Sequence, residues 1–382
     1  MTMLNPVLEH TSSNVEKKGL KVIVVRAHLM ALIGKLQSAI PTKPIVPILS
    51  NLLLEVSDDQ LILSATDLTV SVKAFTRAKV FQQGSIALSA RRFFQLILEL
   101  TTPEVEIEVD TSNGVSIRAG SANFKLHGVS TDEFPSFPDL SHTPFITLHA
   151  PTLKELLIRT AFAVAKEDSR QTLNGLFLQV ANNRLTFIGT DGKRLAKINA
   201  ELDAQDIQGH YIIPLKAIEE MIRALDDKDG VKFYLAQDRV ALETPSTIIM
   251  TKLLFGDYPD VNRVIPDKAN VTILLHREEL MTLLRQIALF IPEDNCSARF
   301  VFTKGELALS AMNSQVGEGK VSMPVDYSGD PLEIALNPNF FADILKQCQD
   351  ETVLLGLIDS FNPGMITDQT PALFVIMPMR LS

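Results

Sequence analysis

Two cysteines, Cys296 and Cys348, are all that the 382 residues contain, and their spacing matches no metal or redox motif. That scarcity argues against a disulfide scaffold, so free thiols in a reducing cytosol are the expectation. Positive charge is short as well: 36 Lys and Arg stand against 45 Asp and Glu, a formal net charge of −9. Tight binding to DNA needs many cations close to phosphates, and the total speaks against it. No run approaches the roughly 20 apolar residues that cross a bilayer. Residues 1–19 carry Glu9 and Glu16 without an apolar core, which does not read as a secretory signal. A soluble cytoplasmic protein with no membrane partner is expected. Chemistry-bearing motifs are missing too. Gly317-Glu318-Gly319-Lys320 lacks the earlier glycine and the following Ser or Thr of a P-loop, and there is no Gly-x-Ser-x-Gly elbow. His127, His142 and His149 flank a proline-rich linker without metal-ligand spacing. The expectation is therefore no catalytic residue, no metal and no cofactor.

What the chain does contain is a threefold repeat. Leu153, Leu156, Leu157, Thr160 and Val164 are spaced i, i+3, i+4, i+7 and i+11, which places all five on one helical face. Two apolar runs follow, Gly175–Val180 and Arg184–Gly189, joined by Ala181-Asn182-Asn183; asparagine tolerates the left-handed backbone of a tight hairpin. The unit closes on Thr190-Asp191-Gly192-Lys193-Arg194-Leu195. The same stripe recurs as Leu29, Leu32, Ile33, Leu36 and Ile40, and again as Leu280, Leu283, Leu284, Ile287 and Ile291, with leading residues 124 and 127 positions apart. Leu61, Leu185 and Leu307 follow turns at separations of 124 and 122. A second helix is expected at Leu88–Leu100, Ile213–Leu225 and Leu336–Cys348, aligned through Phe93, Ile218 and Phe341 at separations of 125 and 123. Three landmarks sharing one period define three domains of about 120 residues.

The expected boundaries are a flexible extension at 1–19, then domains at 20–144, 145–269 and 270–382. Lys21–Val25 reads as a strand leading into the first helix, and the three prolines of residues 41–47 forbid helix and favour a stiff loop. Asn51–Val56 pairs with Gln60–Ala65 through Ser57-Asp58-Asp59, and Glu104–Val109 pairs with Val115–Ala119 around Asn113-Gly114. Ser121–Val129 continues that sheet. Val231–Leu235, Val240–Glu243 and Ile248–Leu254 close the second domain; Thr352–Ile358 and Ala372–Pro378 close the third. Each domain is thus an α+β unit of two helices and roughly eight strands, with the helices covering one sheet face. Asp67 and Asp191 recur at equivalent strand ends in separate domains. Satisfying backbone N–H groups of a turn is the expected use of such an Asp, ahead of acid/base chemistry.

Charge is unevenly spread. Taking residues 26–40, 90–100 and 151–166 as helices, their nets are +2, +1 and +2, while 214–225, 276–291 and 338–349 are each neutral. The acid therefore lies mostly outside the helices.

Read in order, the strings Pro47-Ile48-Leu49-Ser50-Asn51-Leu52-Leu53-Leu54, Ala65-Thr66-Asp67-Leu68, Ala90-Arg91-Arg92-Phe93-Phe94, Leu173-Asn174-Gly175, Thr190–Ala196, Tyr258-Pro259-Asp260 and Met377-Pro378-Met379-Arg380-Leu381 span nearly the whole chain. Together they closely resemble the bacterial DNA polymerase III beta subunit, the sliding clamp family. The resemblance implies a head-to-tail homodimer whose six similar domains close a ring, with helices lining the hole and sheets outside. It further implies a non-catalytic processivity factor that encircles double-stranded DNA without sequence preference. Such a ring tethers the replicative polymerase alpha subunit, the clamp loader and other proteins carrying clamp-binding peptides. Phosphate contact would fall to Lys43, Arg91, Arg92, Lys166, Lys216 and Arg223. A peptide cleft between the second and third domains would comprise Leu173, Thr190, Lys193, Arg194, Leu195, Pro259, Val264, Phe340, Val375, Met377, Pro378 and Met379. The subunit interface would join Phe124 and Leu126 to Leu289 and Phe290. The chain departs from the common family pattern at Lys43, Glu167, Lys193 and Phe340, at Ser382 and over its leading nineteen residues. Two rival readings are a clamp-like adaptor that binds peptides without encircling DNA, and an enzyme using Asp67 or Asp191.

Overall fold

The computed structural model describes residues 19–202, 207–225, 230–291 and 296–379. The expectation for residues 1–18 lies outside them, as does the chain end at 380–382. Two compact units result, Met1–His142 with Glu243–Met250, and Thr143–Leu242 with Thr251–Ser382.

The first unit runs β1 (Leu20–Val25), α1 (Arg26–Leu36), β2 (Asn51–Ser57), β3 (Gln60–Thr66), β4 (Val70–Arg77), β5 (Lys79–Gln82), β6 (Gly84–Ser89), α2 (Ala90–Glu99), β7 (Glu104–Val109), β8 (Gly114–Ala119) and β9 (Ala122–His127). One antiparallel sheet has the order β5-β1-β7-β8-β9, and β6-β2-β3-β4 are neighbours in another. Burial alternates strictly along β2, as a strand with one buried face requires. In α2 the buried residues Ala90, Phe93, Phe94 and Ile97 share one face, which leaves Arg91 and Arg92 exposed on the other.

The second unit holds two copies of this plan. The first copy is β10 (Phe145–His149), α3 (Ala150–Ala161), β11 (Gly175–Ala181), β12 (Arg184–Thr190), β13 (Arg194–Glu201), β14 (Gly209–Pro214), α4 (Leu215–Ala224) and β15 (Gly230–Leu235), continued by β16 (Arg239–Thr244) and β17 (Thr247–Lys252), whose residues 243–250 fall in the first unit. The second is β18 (Val271–His276), α5 (Arg277–Ile287), β19 (Ala298–Thr303), β20 (Glu306–Asn313), β21 (Gly317–Pro324), β22 (Leu332–Leu336), α6 (Pro338–Leu345), β23 (Thr352–Leu357), β24 (Gly364–Thr367) and β25 (Leu373–Ile376). An eight-stranded sheet, β14-β11-β12-β13-β25-β24-β23-β18, is shared between the copies, and β21-β20-β19-β22 form a further sheet. Within each copy the two helices pack together: α1 on α2, α3 on α4, α5 on α6.

The repeat reappears in burial. Phe93, Ile218 and Phe341 are all fully buried, as are the leading leucines 29, 153 and 280. The helices are shorter than the stripes suggested, however. α1 tightens into a 3-10 turn at Gln37–Ala39, α3 ends at Ala161, and α5 passes into a 3-10 turn at Ala288–Phe290. Apolar spacing persists past each helix end, where Val164 is buried and Ile40 and Ile291 are half-buried. Strand ends also moved: Ser121–Val129 shrinks to β9, with Val129 held by a lone bridge to Ala87, and Ala372–Pro378 shrinks to β25. The first domain has nine described strands, β5 being the addition. Asn182 and Asn183 both take positive φ, 51° and 56°, as the hairpin reading requires. Cys348 is a free thiol, which burial pushes up to about 12.

Candidate functional site

The seam of the second unit is where β13 meets β25, in the register Arg194↔Ile376, Leu195↔Val375, Ala196↔Phe374 and Lys197↔Leu373. Leu195 and Val375 thus face each other, and both pack with Ile188 and Val261, bordered by Phe177, Tyr258 and Ile265. Tyr258 stacks on Phe177 at 4.7 Å and donates its hydroxyl to the Ile188 carbonyl at 3.3 Å; burial pushes that phenol well above its ordinary value. Pro259 and Val264, on the same segment, remain exposed.

Past β25 the chain leaves the ladder but stays anchored. The Met377 N–H donates to the Lys193 carbonyl at 2.9 Å and the Met379 N–H to the Ala335 carbonyl at 2.8 Å. These two bonds tie half-buried Met377, Pro378 and Met379 between β13 and β22, where an untethered end would fray.

Two arginines bolt the seam. Arg194 donates Nε to Asp191 at 3.1 Å and Nη1 to Asp343 of α6 at 2.8 Å, and its guanidinium lies 4.5 Å from the Phe340 ring and 5.3 Å from that of Phe162. Burial raises the Asp343 carboxyl, but hydrogen bonds from Lys346 and Arg194 outweigh it and hold the group below its ordinary value. On the helix side, Arg159 of α3 is 3 % exposed and donates to Asp368 at 2.9 Å, a carboxylate with no exposed side-chain surface, while its plane lies 5.8 Å from the Phe374 ring. The Glu155 carboxylate accepts from Arg159 and from Gln349.

Of the expected cleft residues, the structure unites Thr190, Lys193, Arg194, Leu195, Phe340, Val375, Met377 and Met379 through direct contacts or strand pairing. The Thr190 hydroxyl donates to the Arg194 carbonyl at 2.6 Å. Leu173, Leu195 and Val375 are at most 2 % exposed and so form floor rather than rim. Sequence reasoning missed Phe162, Arg170 and Asp343, and read Asp191 as a turn acceptor without its contact to Arg194. Asp343 had a legible signal, lying i+3 from Phe340 on one helix face. Arg170 did not: its proximity to Gly192, where an added Cβ would lie 2.9 Å from Nη2, comes only from folding.

The expected DNA contacts are less uniform. Lys43, Arg91, Arg92 and Lys166 are exposed and without an ion-pair partner among the described residues. Lys166 lies beyond the end of α3, in a loop, rather than on the helix. Lys216 is exposed on α4, whereas Arg223 is ion-paired with the buried carboxylate of Glu220. The helical surplus of cation is smaller than the counts implied. Arg26 donates to the Ile97 and Leu98 carbonyls at the end of α2, and Arg159 is neutralised inside the seam. Asp67 and Asp191 each accept two turn N–H groups through Oδ1, the use expected of them.

Phe124 and Leu126 lie on β9, an edge strand of its sheet. Leu289 is 72 % exposed, and Phe290 rests against Gly319 of β21, another edge strand; a Cβ on Gly319 would come within 2.7 Å of the ring. Among the described residues there is no helix long and apolar enough to cross a membrane and no cluster of metal-ligating side chains.

Family models match three consecutive segments: the N-terminal domain of the DNA polymerase III beta subunit over residues 20–138, its central domain over 147–260 and its C-terminal domain over 262–380. The chain belongs to the DNA polymerase III beta subunit family. The beta sliding clamp of Chlamydia pneumoniae is 48% identical over 363 residues, 95% of this chain and 99% of that one. That of Vibrio cholerae serotype O1 is 27% identical over 366 residues, 95% of this chain and 100% of its own. A crystal structure of the DNA polymerase sliding clamp from Bacillus subtilis matches with a TM-score of 0.91 at 25% identity, covering 96% of this chain and 100% of that one. A Pseudomonas aeruginosa sliding clamp bound to griselimycin matches at 0.90 and 27%, covering 95% and 100%. Membership decides between the readings left open by the residues: the chain is a DNA sliding clamp of three α+β domains, and the off-DNA adaptor is set aside.

Proposed function

We propose that two copies of this chain close head to tail into a ring around duplex DNA, acting as a non-catalytic, cytoplasmic processivity factor. One observation carries the ring. In the shared sheet β13 is continued by β25; by the repeat, β21 is the third-domain counterpart of β13 and β9 the first-domain counterpart of β25, and both are edges. Pairing β9 of one copy with β21 of the next would reuse the seam's geometry and cover two exposed edges. A heterologous interface of this kind forms a ring when its rotation closes. Phe124, Leu126, Leu289 and Phe290 are the apolar residues assigned to it.

Lys43, Arg91, Arg92, Lys166 and Lys216 are the proposed phosphate contacts, with Arg223 a weaker candidate because Glu220 already engages it. Contacts to phosphate alone give affinity without sequence information and let the ring slide. The proposed peptide cleft is the β13–β25 seam: Leu173, Thr190, Leu195 and Val375 beneath, and Lys193, Arg194, Pro259, Val264, Phe340, Met377, Pro378 and Met379 around it. Flexible methionines suit a groove that receives different segments in turn. Its partners are the replicative polymerase alpha subunit, the clamp loader and other proteins with clamp-binding peptides; tethering raises the polymerase's local concentration at the primer end. The proposed domain limits are 20–144, 145–269 and 270–382.

The test is retention on nicked circular DNA, loaded by a clamp loader with ATP, before and after the circle is cut. A linked ring is retained on circles and slides off free ends. Equal retention on both would reject encirclement.

A further inference from the structure

The cleft's arginine is held from the far side of the seam. Arg194 and Phe162 come from the second domain, Asp343 and Phe340 from the third, and the guanidinium is fixed by two carboxylates and two rings at once. α6 is itself fixed at its start, where the Asn337 side chain accepts the Asn339 and Phe340 N–H groups. Phe340 and Asp343, three residues apart, therefore present one ring and one carboxylate to Arg194 as a unit. Nε and Nη1 are used; Nη2 has no protein partner among the described residues, and it is not one of the buried unpaired atoms. Both N–H donors of Nη2 are thus left on a side chain otherwise immobilised.

We propose that Asp343 is a positioning residue of the peptide cleft: by holding Arg194 Nη1 across the seam it aims Nη2 at a carbonyl or carboxylate oxygen of the bound partner segment. This rests on the cleft reading given above. An arginine free to rotate would lose side-chain entropy when it met the peptide, and the carboxylate removes that loss in advance. It also makes the cleft depend on the seam staying closed, because either domain alone supplies only part of the clamp. Lys346, which contacts the other oxygen of Asp343 at 2.8 Å, has no such role, since Oδ2 alone reaches Arg194.

The experiment measures binding of a fluorescein-labelled synthetic peptide from the polymerase alpha subunit to the full-length dimer by fluorescence anisotropy. Asp343→Asn should weaken binding about tenfold, the scale of one misplaced charge-assisted hydrogen bond. Asp343→Glu, which keeps the charge and shifts it, should fall between, and Lys346→Ala should match the wild type. Arg194→Ala should weaken binding by itself, and adding Asp343→Asn to it should change nothing further. Equal losses from Asp343→Asn in both backgrounds would mean a merely structural role and overturn the proposal. Wild-type affinity in Asp343→Asn with a weak Arg194→Ala would overturn it while leaving the cleft standing. Full affinity in Arg194→Ala would remove Arg194 from the cleft and the proposal with it.

Discussion

Leu68 and Gly192 occupy the same turn in successive repeats, both at positive φ, 75° and 81°. In each turn a threonine hydroxyl, Thr66 or Thr190, accepts the N–H of that residue, and an aspartate accepts the next two. The backbone is therefore set by the turn, and a leucine there is strained where a glycine is not. Left-handed geometry costs a side-chain-bearing residue about 1–2 kcal/mol, partly offset by the entropy glycine loses on folding. Leu68→Gly is expected to raise stability by about 0.5–1 kcal/mol, and Gly192→Ala to lower it by about 1–2. Urea midpoints at unchanged slope are the measurement; shifts of the same sign in the two variants would show that the two turns are not equivalent. The Asp368 carboxylate, shut away beneath Arg159, belongs to a second prediction. Burial raises its carboxyl, and hydrogen bonds from Thr370 and Gln349 with the charge of Arg159 outweigh that and leave it depressed. A depressed folded value means stability present above the ordinary carboxylate value of about 4 and lost as pH falls through the folded one. Acid unfolding should thus steepen below about pH 4, and Asp368→Asn should flatten that limb. Removing the carboxylate outright, Asp368→Ala, strands a buried arginine and should cost about 3–5 kcal/mol.

Among the elements, the first helix of each domain shows what an apolar stripe does and does not report. Periodicity in the stripes located the first helix of each domain, because burial of one face selects for 3.6-residue spacing. It overran their ends, because the turns that follow leave Ile40, Val164 and Ile291 half-buried or buried. Charge counts misled more seriously: Arg26 and Arg277, at the start of α1 and α5, both donate to backbone carbonyls at the end of the following helix. Such internal use of cations is invisible in composition. The last described residues are held by the backbone. Met377-Pro378-Met379 looked like a motif, and folding gives it a mechanical basis through Lys193 and Ala335. Replacing Met377 and Met379 by Ala keeps both backbone bonds and removes the apolar side chains. Peptide affinity is expected to fall by at least about tenfold with the dimer intact, each lost side chain removing on the order of 1–2 kcal/mol of apolar contact. Titration calorimetry reads the first, gel filtration the second; unchanged affinity would remove the methionines from the cleft.

At the scale of the whole molecule, an acidic chain that handles DNA is less paradoxical once charge is located. Exposed cations on α2 and α4 lie opposite buried faces, while Glu104, Glu106 and Glu108 gather on β7, each ion-paired with Lys79, Lys21 or Arg118. The proposed phosphate contacts thus rest on where cations are exposed and not on the chain's total charge. Ring closure is a matter of edges. Phe124 is exposed on β9, where an apolar side chain on an open edge invites pairing. Phe124→Asp should convert the dimer to monomer at micromolar concentration in sedimentation, without lowering peptide affinity in the seam. A dimer that survives the charge would place the interface elsewhere.

The amino-acid order alone determined the threefold repeat, the two helices of each repeat and the family, since period and motif order are one-dimensional properties that local propensity and burial imprint directly. Tertiary structure alone decided which charges are available and which are consumed. Arg159 and Arg223 look like Arg91 in sequence, yet only pairing across a fold distinguishes a neutralised guanidinium from an open one. It also decided that the second and third domains share one sheet, because β13 and β25 are about 180 residues apart and meet only where two copies of a repeat present matching edges.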